Sequence, residues 1–112
     1  MRVIYINGNP KSIKAFSTYS EARKSFVEDF KKLSKNNDAK KIFEIVSKQK
    51  FKIENNIHVL KEIIVDDDVP KKVYIRCENN DINNIKIFWK LEDMPKALKD
   101  VQNNRVELVH II

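Results

Sequence analysis

The sequence contains few of the residue types from which phosphate loops, metal sites and disulfides are made. Gly8 is the only glycine among 112 residues, so a glycine-rich loop that cradles phosphate groups cannot form. Cys77 is the only cysteine and has no partner for an internal disulfide, which favours a reducing compartment. The two histidines, His58 and His110, are far apart in the chain and do not form a cluster at zinc-binding spacing. We therefore expect neither a metal nor another cofactor.

Long apolar runs are also absent. No stretch approaches the roughly 20 apolar residues that span a bilayer, and the apolar segment at residues 1–6 is too short for a signal peptide. We therefore expect a cytoplasmic protein that does not contact a membrane. The composition, 42% hydrophobic and 34% charged, is typical of soluble globular proteins. The length predicts a single domain over residues 1–112.

Positive charge predominates and is unevenly distributed. The formal net charge is +6, which favours an anionic partner. Residues 1–52 carry thirteen lysines and arginines against five acids, whereas residues 53–112 carry nine against eleven. The excess therefore lies in the first half of the chain. A second explanation stays open, because lysine, asparagine and isoleucine are all abundant and are the residues that A+T-rich coding DNA favours.

Asparagine is common where glycine is scarce, and it tolerates left-handed backbone better than other non-glycine residues do. Five adjacent asparagine pairs separate the periodic segments of the chain: Asn36-Asn37, Asn55-Asn56, Asn79-Asn80, Asn83-Asn84 and Asn103-Asn104. We expect these pairs to mark the turns and to supply the positive-φ positions.

The first part of the chain predicts a strand followed by a helix. Residues 2–6 are expected to form the strand, and residues 12–17 a helical turn or a loop. Thr18, with Glu21 three positions later, fits a capping box at the start of a helix over residues 19–35. That helix carries one continuous apolar stripe, which is typical of packing against a core.

A second helix is predicted to start after Asp38, which can cap it, and to continue to about residue 50. Four apolar residues are expected to face inward from this helix: Ala39, Ile42, Phe43 and Val46. The link at residues 36–37 is short, which favours two helices packed as an antiparallel hairpin.

Strands predominate in the remainder of the chain. They are predicted at residues 57–65, 72–78, 85–91 and 105–112, with a short helix around Pro95 before the last strand. The predicted order is β-α-α-β-β-β-(α)-β. It defines an α+β protein with a mostly antiparallel β-sheet packed on an N-terminal helical hairpin.

The strands at residues 72–78 and 85–91 alternate between two kinds of face, because successive side chains of a strand point to opposite sides. Cys77 and Trp89 have the apolar parity and are expected to lie in the core. Cations and aromatics share the other parity: Tyr74, Arg76, Lys86, Phe88 and Lys90. This face is a candidate for RNA binding, and it is equally what a solvated face looks like.

Four short segments occur in an informative order. Residues 26–33 combine apolar and basic residues and end in leucine, residues 58–61 have the pattern H-x-L-K, residues 73–76 contain tyrosine and arginine, and residues 106–110 end in histidine. Together they resemble segments of the RelE/ParE toxin superfamily, whose order of elements is similar. The chain departs from the family at Ile111, where some members have tyrosine, and in the insertion before the last strand.

The resemblance implies a RelE-like toxin: an endoribonuclease that cleaves mRNA on the ribosome without a metal. In that chemistry the RNA 2′-hydroxyl attacks the adjacent phosphate, and the protein supplies a base, an acid and cations. Arg76 would then bind the phosphate, Lys61 would add positive charge, and His58 or His110 would transfer protons. Tyr74, Lys86, Phe88 and Lys90 would bind RNA, with the aromatic rings stacking on bases. The expected partners are RNA or the ribosome and a cognate antitoxin protein.

Other interpretations stay open. His110 has the parity of Val106, Leu108 and Ile112, which favours a buried histidine. His58 lies beside Leu60 and Ile64 and could be buried in the same way, and Arg76 could instead pair with a nearby acid. A toxin of the same fold could act by binding a protein, as the gyrase-directed branch does. The main alternative is a non-catalytic small basic protein from a phage or mobile element that inhibits a host nuclease or other nucleic-acid enzyme by binding it. A simple RNA-binding module is also consistent with the sequence.

Overall fold

The structure is a computed structural model that describes residues 1–78, 81–89 and 105–112, without the side chains of residues 105–108. Its elements, in chain order, are β1 (Arg2–Asn9), β2 (Ser12–Phe16), α1 (Tyr19–Ser34), α2 (Ala39–Lys48), β3 (Lys50–Ile53), β4 (Asn56–Val65), β5 (Lys72–Cys77), β6 (Ile85–Phe88) and β7 (Arg105–His110). The predicted helix around Pro95 and the candidate residue Lys90 lie outside the described residues.

The strands form two antiparallel sheets. One has the strand order β2-β1-β4-β3 and the other the order β6-β5-β7. A parallel bridge between Ala15 and Ile111 joins their edges, and the amide of Ile112 donates to the carbonyl of Ala15 at 3.0 Å. With both helices packed on the larger sheet, the predicted α+β class and its mostly antiparallel sheet are confirmed.

Two hydrophobic cores lie on opposite faces of the four-stranded sheet. The inner core lies between the two sheets and is built from aliphatic residues that include Ile4, Ile6, Val59, Val73, Ile75 and Cys77. The outer core lies between the four-stranded sheet and the helices and contains Phe16, Ala22, Phe26, Phe30, Ile45, Phe51 and Leu60. Complete burial of a side chain such as Phe26, which is 0% exposed, contributes about 1.5–3 kcal/mol. Cys77 belongs to the inner core and Trp89 packs against it, as their parity predicted.

The helices begin where the sequence predicted. The hydroxyl of Thr18 accepts a hydrogen bond from the amide of Glu21 at 3.3 Å, and the carboxylate of Asp38 accepts one from the amide of Lys40 at 3.0 Å. Each bond satisfies an amide that the helix leaves unpaired at its start. We expected asparagines at the left-handed backbone positions. Within the described residues, the non-glycine residues with a positive φ are instead Lys35, Gln49 and Glu54. Two of these residues directly precede an asparagine pair.

The asparagines act instead through their side chains. Asn36 Oδ1 accepts from the amide of Asp38 at 2.8 Å, and Asn9 Oδ1 accepts from the amides of Lys11 and Ser12 at 2.8 and 3.1 Å. Such side-chain to backbone bonds stabilise turns without a left-handed asparagine. As predicted, the pairs at residues 36–37 and 83–84 lie between helices or strands, and Asn55 lies in the turn between β3 and β4, where Asn56 is the first residue of β4.

Three local predictions were wrong. Residues 12–16 form the strand β2 instead of a helical turn or loop, because Ile13 and Ala15 enter the inner core while Phe16, on the other face, enters the outer core. The second helix ends at Lys48, and the chain enters the short strand β3, which was not predicted. Ala39 and Phe43 do not face inward: Ala39 is exposed and Phe43 is 76% exposed, and Ile45 is buried instead.

Gly8 lies inside β1, opposite Ile13 of β2 and Val59 of β4. A Cβ atom added at Gly8 would lie 2.2 Å from the carbonyl oxygen of Ser12 and 2.9 Å from Cα of Ile13. Both are backbone atoms, so a side chain here would displace β2.

We expect Gly8→Ala to lower the free energy of unfolding by about 1–3 kcal/mol, because β2 must move away from β1. Urea denaturation followed by circular dichroism measures this difference. Ser20→Ala, at an exposed position of α1, is the control and should change stability by less than about 0.5 kcal/mol. A Gly8→Ala protein as stable as the control would contradict the close approach of the two strands.

Candidate functional site

The candidate catalytic histidine His58 is buried beneath α1. It lies on the outer face of β4, is 5% exposed, and stacks on the ring of Phe51 with centroids 4.7 Å apart. Its Nε2 lies 2.7 Å from Oδ1 of Asn7, and its Nδ1 lies 3.3 Å from Nδ2 of Asn9. These partners fit a neutral ring in which Nε2–H donates to Asn7 and Nδ1 accepts from Asn9.

The network continues into α1 through Asn7, which is completely buried. Its Nδ2 donates to the hydroxyl of Ser25 at 2.8 Å and to Oδ2 of Asp29 at 3.0 Å. The ammonium of Lys14 lies 3.2 Å from the Asp29 carboxylate. Burial lowers the pKa of the His58 imidazole, and the carboxylate of Asp29 opposes this shift only in part. The histidine is therefore a neutral component of a polar network that ties the sheet to α1.

Arg76 lies on the outer face of β5 and is bound by the protein's own residues. Its Nη2 is 2.6 Å from Oε1 of Glu78, and its guanidinium carbon lies 4.9 Å from the centroid of the Phe88 ring. The residue is 8% exposed. Burial alone would raise the pKa of Glu78, but the hydrogen bond and charge of Arg76, with the charge of Lys86, hold that pKa below its usual value. The guanidinium is thus already paired with a carboxylate.

The predicted RNA-binding residues of β5 and β6 do share one face. Tyr74 is opposite Phe88 and Arg76 is opposite Lys86 in the sheet. Lys86 is exposed, but its ammonium lies 3.5 Å from Glu78. On this face, the side chains of Arg76 and Lys86 therefore both lie near the carboxylate of Glu78, and Arg76 is already paired with it.

The other two candidates lie elsewhere. Lys61 has the opposite parity to His58 on β4, and its ammonium donates to the carbonyl of Asn83 at 3.0 Å. His110 is exposed, whereas its neighbours Val109 and Ile111 are buried, so the expectation of a buried histidine was wrong. The set of residues that contains His110 is the more apolar one in the sequence, because the other set includes Arg105 and Glu107, so alternation predicted the wrong face for His110.

The proposed catalytic groups do not share a cleft. His58 and Arg76 lie on the outer faces of two different sheets, and stacked sheets are separated by about 10 Å. His110 shares a face with Arg76, but it pairs with Lys72, four residues from Arg76 along β5, which corresponds to about 14 Å. No single phosphate could contact Arg76 and either imidazole in this arrangement.

A different surface has the geometry of a binding site. A groove of about 340 Å³ lies between α2 and the edge strand β3. The residues that line it include four apolar ones, which we call its floor, and four lysines: Phe30, Ile45, Phe51 and Ile57, and Lys41, Lys48, Lys50 and Lys52. We call this surface the α2–β3 groove. Glu44 is the acidic residue among those that line it.

The groove is strongly cationic. Glu44 lies 3.5 Å from the ammonium of Lys41 and 3.1 Å from that of Lys48. The hydrogen bond from Lys48 and the charges of both lysines lower the pKa of Glu44, so it is ionised and offsets one of the four positive charges. All four lysines are exposed, and their charges can reach a ligand above the apolar floor.

Sequence reasoning assigned no role to these lysines. The available signals were the charge excess of residues 1–52 and the alternation of lysine with apolar residues over residues 50–53. That alternation predicts a strand, but the segment was assigned to the end of the second helix. The groove itself depends on the position of α2 beside β3, which no local pattern specifies.

Comparisons of the chain with protein-family models, with curated proteins and with solved structures found no match. Among the described residues, no group of three or more histidine, cysteine or acidic side chains could hold a metal ion. Neither of the helices in the described part of the chain is long and apolar enough to cross a membrane. The functional assignment consequently depends on the geometry of the surfaces described above.

The buried histidine predicts a pH-dependent stability. An unfolded chain takes up a proton at His58 below about pH 6.5, whereas the folded protein resists this because burial lowers the pKa of the imidazole. The unfolded state then binds more protons, so the free energy of unfolding should decrease as the pH falls below about 6.5. Urea denaturation at a series of pH values measures the decrease.

Two variants assign this effect to its residue. His58→Gln should flatten the pH dependence between about pH 7.5 and pH 5.5, although it lowers stability overall. His110→Gln removes the exposed imidazole and should leave the dependence in place. A pH dependence that disappears in His110→Gln and persists in His58→Gln would contradict the buried network.

Proposed function

We propose that the protein acts by binding and not by catalysis: it is a small basic protein that holds an acidic partner in the α2–β3 groove and thereby blocks that partner. The observation that carries this proposal is the groove itself, an apolar floor surrounded by four exposed lysines. Among the functions that the sequence left open, it corresponds to the non-catalytic inhibitor of a host nuclease or other nucleic-acid enzyme.

The combination of floor and rim supports a macromolecular partner. Burial of apolar side chains supplies affinity in proportion to the area removed from water. The surrounding lysines attract an acidic surface and select the orientation in which it docks. Three of the four floor residues are already buried, so Ile57, which is 47% exposed, offers most of the apolar side-chain surface that a partner could cover. Exposed ion pairs contribute little energy each, so the four lysines would mainly set the specificity and the association rate.

The geometry of the groups proposed for RNA cleavage supports catalysis less well than the groove supports binding. A general base or acid must reach the reacting proton at hydrogen-bond distance, but both ring nitrogens of His58 already have partners inside the fold. A phosphate that bound Arg76 would first have to displace the carboxylate of Glu78. Ribonuclease activity thus stays a prediction from the sequence alone, and the binding function has the stronger geometric support.

The groove can be tested with poly-L-glutamate as a defined acidic probe and isothermal titration calorimetry. Replacement of Lys41, Lys48, Lys50 and Lys52 by glutamine should weaken binding about tenfold or more, equivalent to about 1.4 kcal/mol. Binding by the unmodified protein should also weaken as salt screens the lysines.

The matched control removes the same number of charges from a different surface. Lys11, Lys24, Lys31 and Lys32 are exposed lysines outside the groove, and their replacement by glutamine should have a much smaller effect. Equal losses in the two quadruple variants would show that net charge alone attracts the probe. That result, or no binding by the unmodified protein, would contradict the proposal.

A further inference from the structure

The outer edge of β3 offers backbone groups to the α2–β3 groove. Within the described residues, β3 pairs with β4 alone and lies at the edge of the four-stranded sheet. The amide of Leu60 donates to the carbonyl of Gln49 at 2.9 Å, which identifies residues 49 and 60 as a hydrogen-bonded pair. In an antiparallel ladder such pairs alternate with non-bonded ones. The backbone N–H and C=O groups of Phe51 and Ile53 therefore point toward β4, whereas the backbone N–H and C=O groups of Lys50 and Lys52 point away from it.

We infer that the α2–β3 groove binds an extended acidic segment of another protein, which adds to the sheet as a strand along β3. This inference rests on the proposed function and names the chemical class of its partner. The backbone of the segment would pair with the outward N–H and C=O groups of Lys50 and Lys52, as in other cases of strand addition. Its side chains would supply the charge and the apolar contacts.

The two sides of the groove match the two faces of a strand. Phe51 and Ile45 line one side of the β3 edge within the outer core, whereas Lys52 and its partner Ile57 lie on the opposite face of the sheet. A bound strand sends successive side chains to these two sides. Acidic residues that alternate with aliphatic ones could therefore contact the lysines and the apolar floor together.

The aromatic rings of the groove favour a polypeptide over single-stranded RNA. Proteins that bind single strands stack bases on accessible aromatic rings. Here Phe51 is sandwiched in the core, with its ring stacked on His58 and in contact with Phe30 at a centroid distance of 5.2 Å. Both phenylalanines are buried, so neither offers a free ring face to a base. The unpaired strand edge, by contrast, matches the repeat of a polypeptide backbone.

The test uses a capped peptide of alternating glutamate and valine, and a second peptide of the same sequence with alternate amides N-methylated. The methyl groups remove the strand hydrogen bonds and keep the charge. The unmodified peptide should bind at least about tenfold more tightly than the methylated one. On binding, the amides of Lys50 and Lys52 should exchange more slowly with deuterium. Oligouridylate of matched charge should bind more weakly than the peptide.

A pair of variants tests the same edge from the protein side. Lys52→Pro removes the outward amide and the charge, and proline is tolerated at this orientation on an edge strand. Lys52→Gln removes the charge alone and is the matched control. Lys52→Pro should lose clearly more affinity than Lys52→Gln. If Lys52→Pro unfolds, the two peptides still decide the question on the unmodified protein.

The outcomes separate this inference from the proposed function. Equal affinity for the two peptides, with retained binding of poly-L-glutamate to the groove, would overturn strand addition and keep the binding function. Tighter binding of oligouridylate than of the peptide would overturn the polypeptide partner. Binding of neither peptide nor poly-L-glutamate would overturn both.

Discussion

The hydrogen bond between His58 and Asn7 determines how the sheet and the helices fit together. Both side chains lie on the outer face of the four-stranded sheet, at the centre of an otherwise apolar interface. A buried polar group without a partner costs about 1–3 kcal/mol, so α1 must place Ser25 and Asp29 directly above Asn7. This requirement fixes the position of α1 along β1. It also commits the imidazole of His58, one of the catalytic candidates from the sequence, to a structural role.

The same arrangement separates the groups that were predicted to form one catalytic site. Because one face of each sheet is committed to the inner core, His58 of β4 and Arg76 of β5 lie on outer faces that point away from one another. Arg76 then finds its carboxylate partner within its own sheet, at Glu78. The charge that is left for a partner lies in the first half of the chain, where α2 and β3 place four lysines around an apolar floor. Binding follows from this distribution more directly than proton transfer does.

The sequence predicted the elements whose signals are local. The caps at Thr18 and Asp38, the stripe of α1 and the alternation of β5 and β6 each depend on neighbours within a few residues, and the structure contains all of them. The strand β2 was missed because its short alternation is carried by only two apolar residues, Ile13 and Ala15. Phe43 was placed on the wrong side because several apolar residues of α2 compete for a narrow contact with α1.

The candidate site was harder to predict, because it depends on which face of a strand each side chain points to and on contacts between residues that are distant in the sequence. His110 illustrates the first difficulty: a shift of one residue moves a strand's entire set of side chains to the other face, and His110 is exposed although it belongs to the more apolar set of its strand. His58 illustrates the second, because its partners Asn7, Asn9 and Asp29 come from other elements. The α2–β3 groove combines both difficulties, since it requires the correct end of α2, the presence of β3 and their relative position.

We propose that the protein binds a partner and does not cut RNA. This can be tested by incubating the purified protein with translating ribosomes and a defined mRNA, and then mapping the 5′ ends of the transcript by primer extension. We expect no new 5′ ends, because the imidazole of His58 is buried and the guanidinium of Arg76 is paired with Glu78. New ends that appear with the unmodified protein and disappear with Arg76→Ala would contradict it.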